Sequence, residues 1–197
     1  MRLPAPRLHR ALLLAALLPA LAALAPAAHA EVKEELKYTY YEVEVRPGRL
    51  DPQIRAATPI RENGRPFHGN TRWYVRWRYQ VGPSGGPQCK VATLNVELTL
   101  EITLPKIRGA SARQQQAFDR YLEKLRAHEM GHVEIDREAA RAVERELLAL
   151  PPGRDCDSFR AALNTAGHAV LERYRRKNRD YDDSTNHGRS QGAVLND

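Results

Sequence analysis

After Ala30 the chain has no apolar run long enough to cross a bilayer, so the main body is not expected to hold an integral membrane segment. Cysteine is scarce. Only Cys89 and Cys156 are present, and neither has a Cys or His neighbour at metal-ligand spacing, which argues against a cysteine-held zinc. No stripe of basic residues interleaved with aromatics occurs, so nucleic acid is not an expected partner. No internal repeat is visible, and no Cys follows the first apolar run to carry a lipid anchor.

The first thirty residues read as a targeting segment. Arg2, Arg7 and Arg10 form a positive start, Ala11 to Ala25 an apolar run, and Ala28-His29-Ala30 a small-x-small cleavage site. This is a Sec-type signal peptide, and it predicts a periplasmic or secreted protein whose mature part, 31 to 197, is a single domain. The formal net charge of +7 includes those three arginines, so the rest carries a modest basic excess. In an exported chain the even cysteine count predicts a Cys89–Cys156 disulfide.

The body begins with strand-like patterns. Tyr38 to Val45 is aromatic and β-branched, and Arg46-Pro47-Gly48 then turns the chain. Leu50 to Ala57 reads as a short helix with Pro52 in its first turn, and Thr58 to Asn70 as a loop or hairpin connection. From Thr71 to Val81 the residues alternate, with Trp73, Val75, Trp77 and Tyr79 on the inward side; a substrate groove is the rival role for the two tryptophans. Lys90 to Leu104 alternates too, and Pro105 is expected to end the strand region. These segments predict a small antiparallel sheet.

Two helices follow. Ser111 and Gln114 form a capping box that opens a long helix running to Leu150, where Pro151-Pro152-Gly153 stops it. A second, capped by Asp157 or Ser158, spans Phe159 to about Lys177. By composition alone Arg179 to Asp197 reads as a frayed polar tail. The fold class is therefore α+β, with the sheet packed on the long helix and its successor.

The chemistry sits on the long helix, at His128-Glu129-Met130-Gly131-His132. In this H-E-x-x-H spacing both imidazoles share one helix face and can reach one metal, while Glu129 can take a proton from the attacking water. Phe118, Leu122, Leu125, Glu129, His132, Asp136, Ala140, Val143 and Leu147 recur in steps of three and four, so the motif lies on the core-facing stripe. Turning those polar groups inward is costly without a metal or complete hydrogen bonding. Gly131 leaves room for another segment or a substrate.

Two histidines leave a third ligand to be found. Asp136 stands ~12 Å along the helix from His128, too far to share a metal with it, though able to orient His132. Glu138 occupies the metzincin third position, but that arrangement needs a Gly where this chain has Ile135. His168, His68 and His187 remain, and His187 lies in the polar tail.

Gly69 to Tyr79 (G-x-T-x-W-x-V-x-W-x-Y), a Cys before the last strand, H-E-x-G-H and a terminal Y-D-x-x-T-x-H-G-x-x-Q together resemble a bacterial family of predicted secreted zinc-dependent proteases, labelled a domain of unknown function. The resemblance implies a zincin-type fold and a matching motif in the tail. On it the expected site is Zn²⁺ held by His128, His132 and His187, with Glu129 as general base and Tyr181 as a donor to the oxyanion. The expected partner is a peptide or protein substrate in the cell envelope. Two other readings stay open: a non-catalytic, metal-stabilised envelope binding module, and a zinc amidase acting on cell-wall material.

Overall fold

A computed structural model describes residues 30–84 and 88–196. The signal peptide expected over residues 1–30 lies outside the described residues except for Ala30, which opens a strand. The elements in chain order are β1 (Ala30–Glu44), α1 (Leu50–Ala57), β2 (Arg61–Glu62), β3 (Arg65–Pro66), β4 (Asn70–Pro83), β5 (Cys89–Arg108), α2 (Ala112–Leu148) and α3 (Cys156–Thr185). A single 3₁₀ turn, Arg189–Gln191, follows α3. The α+β class read from the sequence holds.

The sheet has the order β1-β5-β4. β4 and β5 form the expected antiparallel hairpin, with Trp73 opposite Leu100 and Trp77 opposite Val96. β1 is longer than the sequence pattern suggests and runs parallel to β5, so the sheet is mixed. Pro105 does not end β5; the strand continues to Arg108 beside β1. Its pairing with β4 begins only at Thr103–Asn70, so β5 has a bare edge where Pro105 sits, and a missing N–H costs nothing there.

One face of β5 supplies the core. Leu94, Val96, Leu98, Leu100, Ile102 and Leu104 alternate along it and are almost completely buried, each contributing about 2 kcal/mol by its transfer from water. They pack on α2 and α3. The opposite face, with Arg72, Tyr74 and Arg76 on β4 and Lys33 and Lys37 on β1, is exposed. The fold is therefore two layers, and whatever α2 turns inward is held against the sheet.

The start of α2 is fixed by the capping box: Ser111 Oγ accepts from the Gln114 N–H, and Gln114 Oε1 accepts from the Ser111 N–H at 2.9 Å. Gln114 Nε2 also donates to the Gly48 carbonyl at 3.0 Å, tying the helix to the turn after β1. The cap of α3 is Asp155, not Asp157 or Ser158: its side chain accepts from both of their N–H groups. Cys89 and Cys156 form a disulfide across a separation of 67 residues, next to a two-way backbone bridge between Cys89 and Gly153.

The greatest difference from expectation is the length of α3. It runs to Thr185, so residues 179 to 185 of the expected frayed tail are helix. Asn178, Tyr181 and Asp182 recur at helical spacing and face α2 with hydrogen bonds in place of apolar contact, while the Thr185 hydroxyl donates back to the Tyr181 carbonyl within α3. Hydrophobic periodicity does not register such a face. Replacing both Cys89 and Cys156 by Ala releases the closure of the 67-residue loop. Unfolding free energy is expected to fall by about 2–5 kcal/mol in a denaturant titration.

Candidate metal centre

The H-E-x-x-H residues lie midway along α2 on its buried side. His128, Glu129 and His132 are 3%, 3% and 8% exposed. Across from them, α3 brings Asp182, whose Oδ1 lies 3.2 Å from His128 Nε2 and 3.0 Å from His132 Nε2. The three potential ligand atoms of His128, His132 and Asp182 lie within 4.8 Å of one another. His187, expected as the third ligand, lies just beyond this group with Nδ1 3.5 Å from Asp182 Oδ1, and its ring packs against Phe67 at 4.7 Å.

The tautomers follow from the partners on the far side of each ring. His132 Nδ1 is 2.7 Å from Asn178 Oδ1, whose amide is oriented by donating from Nδ2 to Asp136 Oδ1, also at 2.7 Å. His128 Nδ1 is 3.0 Å from Gln191 Oε1, and Gln191 Nε2 donates to the Tyr181 hydroxyl at 3.0 Å. Each Nδ1 must carry hydrogen to donate to an amide oxygen. Both Nε2 atoms of the neutral rings then aim lone pairs at a carboxylate oxygen. One proton relieves one of these contacts; a divalent cation relieves all of them. The donor set of two imidazoles and a carboxylate fits zinc or a similar borderline metal.

The electrostatics agree. Burial opposes ionisation of Asp182, yet hydrogen bonds with His128 and His132 outweigh it and hold the carboxyl well below the usual range. Burial likewise disfavours a charged His132, but its bonds to Asp182 and Asn178 prevail and raise it to about 9. Asp136, with no exposure, is pushed up by burial to about 7 in spite of the Asn178 hydrogen bond. The orienting role expected of Asp136 is thus exercised through Asn178, which the sequence did not single out.

Glu129 faces the same space from the β4 side. Thr71 Oγ1 donates to Glu129 Oε2 at 2.8 Å, and burial raises the carboxyl pKa against the pull of His132 and of that hydrogen bond. Gly69 abuts the other oxygen: a Cβ there would come 2.6 Å from Glu129 Oε1. Gly131 admits the Tyr181 hydroxyl, which a Cβ would meet at 2.1 Å. The Tyr181 ring stacks on His128 at 5.1 Å, and its hydroxyl donates to the His128 carbonyl at 3.3 Å.

The remaining candidates are placed apart. His68 sits in the wall of the same cleft with Nδ1 2.6 Å from the Tyr121 hydroxyl, and burial lowers it to about 4. His168 is exposed at the edge of the Trp77 ring. Glu138 is half-buried and paired with Lys177. Trp77 packs against the core, and Trp73 both packs there and lines the cleft, which has a volume of about 630 Å³.

An α+β fold whose long helix carries H-E-x-x-H, with a neighbouring helix closing a His-His-Asp group, describes a candidate metal protein. The chain belongs to the family described as Bacterial protein of unknown function (DUF922), whose pattern matches residues 38–188. That span includes every residue of the His-His-Asp group. No curated protein and no solved structure matches the chain.

Because His132 is raised to about 9 in the metal-free protein, a metal must displace its proton. Metal affinity is therefore expected to climb with pH, about tenfold per unit while that proton is being lost, and to level off above about pH 9. Competition titrations with a chelator across this range check it. Asn178→Leu should weaken metal binding by about 10–100-fold, by freeing the His132 ring, without unfolding the protein.

Proposed function

We propose that this protein is an exported zinc-dependent metallopeptidase, with His128, His132 and Asp182 as the metal ligands. The observation that carries this reading is the convergence of two Nε2 atoms and one carboxylate oxygen beside a buried glutamate. Geometry favours Asp182 over His187 for the third position, and leaves His187 to steady the Asp182 carboxylate from 3.5 Å. A zinc ion so held supplies a Lewis acid that polarises a carbonyl and acidifies water.

The chain's own groups do the rest. Glu129, held by Thr71 through one oxygen, keeps the other as a proton acceptor for the attacking water, and its raised pKa suits it to pass that proton on to the leaving amine. Gln191 and Asn178 keep both imidazoles in the ligating tautomer. The Tyr181 hydroxyl is directed to the His128 carbonyl, so a donor role toward the oxyanion requires that bond to break. Export rests on the signal-like segment, and a peptide or protein of the cell envelope is the substrate that such an address supplies.

Zinc content and hydrolysis of a peptide library would be measured for the wild type and three variants. Glu129→Gln should retain zinc and lose activity by at least about a hundredfold. Asp182→Ala should lose most of its zinc, and His187→Ala should keep more of it than Asp182→Ala does. Full zinc occupancy in Asp182→Ala would overturn the ligand set. Full activity in Glu129→Gln would overturn the mechanism.

A further inference from the structure

We propose that the cleft beside the metal centre selects a peptide segment bearing carboxylate side chains, held by Arg65, Arg179 and Arg189. This adds a substrate class to the hydrolase reading, but binding itself requires no turnover.

The three arginines line one cleft and come from three separate elements. Arg65 is on β3, Arg179 on α3, and Arg189 opens the 3₁₀ turn. Two directly follow residues that touch the centre. Arg179 follows Asn178, which fixes the His132 ring, and Arg189 follows Gly188, whose Cα packs so closely on His128 that a Cβ would meet its Cγ at 2.9 Å. The fold therefore brings three positive charges from separate elements to the lining of the cleft that holds the metal group.

None of the three makes an ion pair among the described residues, although Arg137, Arg160 and Arg173 elsewhere all hold carboxylates. Of the acids on the cleft lining, Asp51 is engaged by Arg55, while Asp182 and Glu129 face the centre. Glu62 alone stands against the three guanidinium groups. A divalent ion would offset Asp182 and Glu129, so the walls stay basic in the loaded protein. At physiological ionic strength charges interact over about 8 Å, so a carboxylate must enter the cleft to benefit fully. A guanidinium fork suits that group through paired N–H donors.

Phosphate polymers would also satisfy arginine. The same lining, however, includes the half-buried rings of Phe67 and Trp73, apolar surface that a polyphosphate cannot use and a peptide's side chains can. Peptide is thus the better-matched occupant.

The test uses zinc-loaded full-length Glu129→Gln protein and fluorescein-labelled octapeptides that alternate Leu with Glu, with Gln or with Lys. Anisotropy at physiological ionic strength should show the Glu peptide binding at least about tenfold more tightly than the Gln peptide, and the Lys peptide more weakly than either. Adding R65Q/R179Q/R189Q should remove that preference. R72Q/R76Q/R120Q, which removes equal charge from surfaces outside the cleft, should preserve it. Equal loss in both triple variants would mean that bulk charge is responsible and would overturn the inference. So would absence of the Glu preference, or tighter binding of inorganic polyphosphate through the same arginines. If the wild type hydrolyses no peptide while the binding pattern holds, the hydrolase reading fails and the acidic-peptide site stands.

Discussion

Two imidazole nitrogens and one carboxylate oxygen meet between α2 and α3, and much of the local structure serves to keep them there. Without a cation these groups depend on a proton, the state in which, against burial, the Asp182 bond raises His132 to about 9, because unpaired polar groups on the buried stripe of α2 are costly. The surrounding bonds work in one direction. Asn178 and Gln191 turn the rings, Asp136 orients the Asn178 amide, and glycines at 69 and 131 let β4 and Tyr181 close in. The packing core of β5 is separate from this set, so stability and site can be perturbed independently.

Sequence and structure agree where apolar periodicity is strong and where the α2 capping box is explicit, but the α3 cap falls on Asp155, ahead of the expected Asp157 or Ser158. The Ser111–Gln114 cap, the alternating strands 71–81 and 90–104 and the inward placement of His128, Glu129 and His132 all have direct signatures. The Leu50–Ala57 helix also appears with the boundaries its Pro52 suggests. The parallel direction of β1 is not encoded locally, because strand composition does not specify which way a distant partner runs.

The second half of the site was harder to read for a definite reason. Asn178, Tyr181 and Asp182 form a helical stripe made of polar residues, and a hydropathy pattern interprets such a stripe as solvent-facing. The signal lies in the Y-D-x-x-T-x-H-G-x-x-Q string, which contains Asp182 and Gln191 beside His187. Histidine is the more familiar ligand, but helix geometry aims Asp182, four residues after Asn178, at the same neighbouring helix. His187 follows the helix end, where the backbone takes a left-handed turn at Asn186 and His187 itself.

The pair of helices is fastened at two distant points. Near the α2–α3 connection the Cys89–Cys156 disulfide ties α3 to β5, and at the other end Asp182 draws α3 onto the centre of α2. Between these fasteners α3 has an apolar face, with Phe159, Leu163, Val170 and Leu171 buried. Beyond Leu171 the buried hydrophobic contacts of the helix cease, and polar bonds to the centre take over. The final turns of α3 are therefore held by contacts to the candidate centre, and the chain after them returns to the core through Ala193 and Leu195. The Asp182 carboxylate thus serves two ends at once: it is a candidate ligand, and it is the rivet that seats the last turns of α3 on the middle of α2.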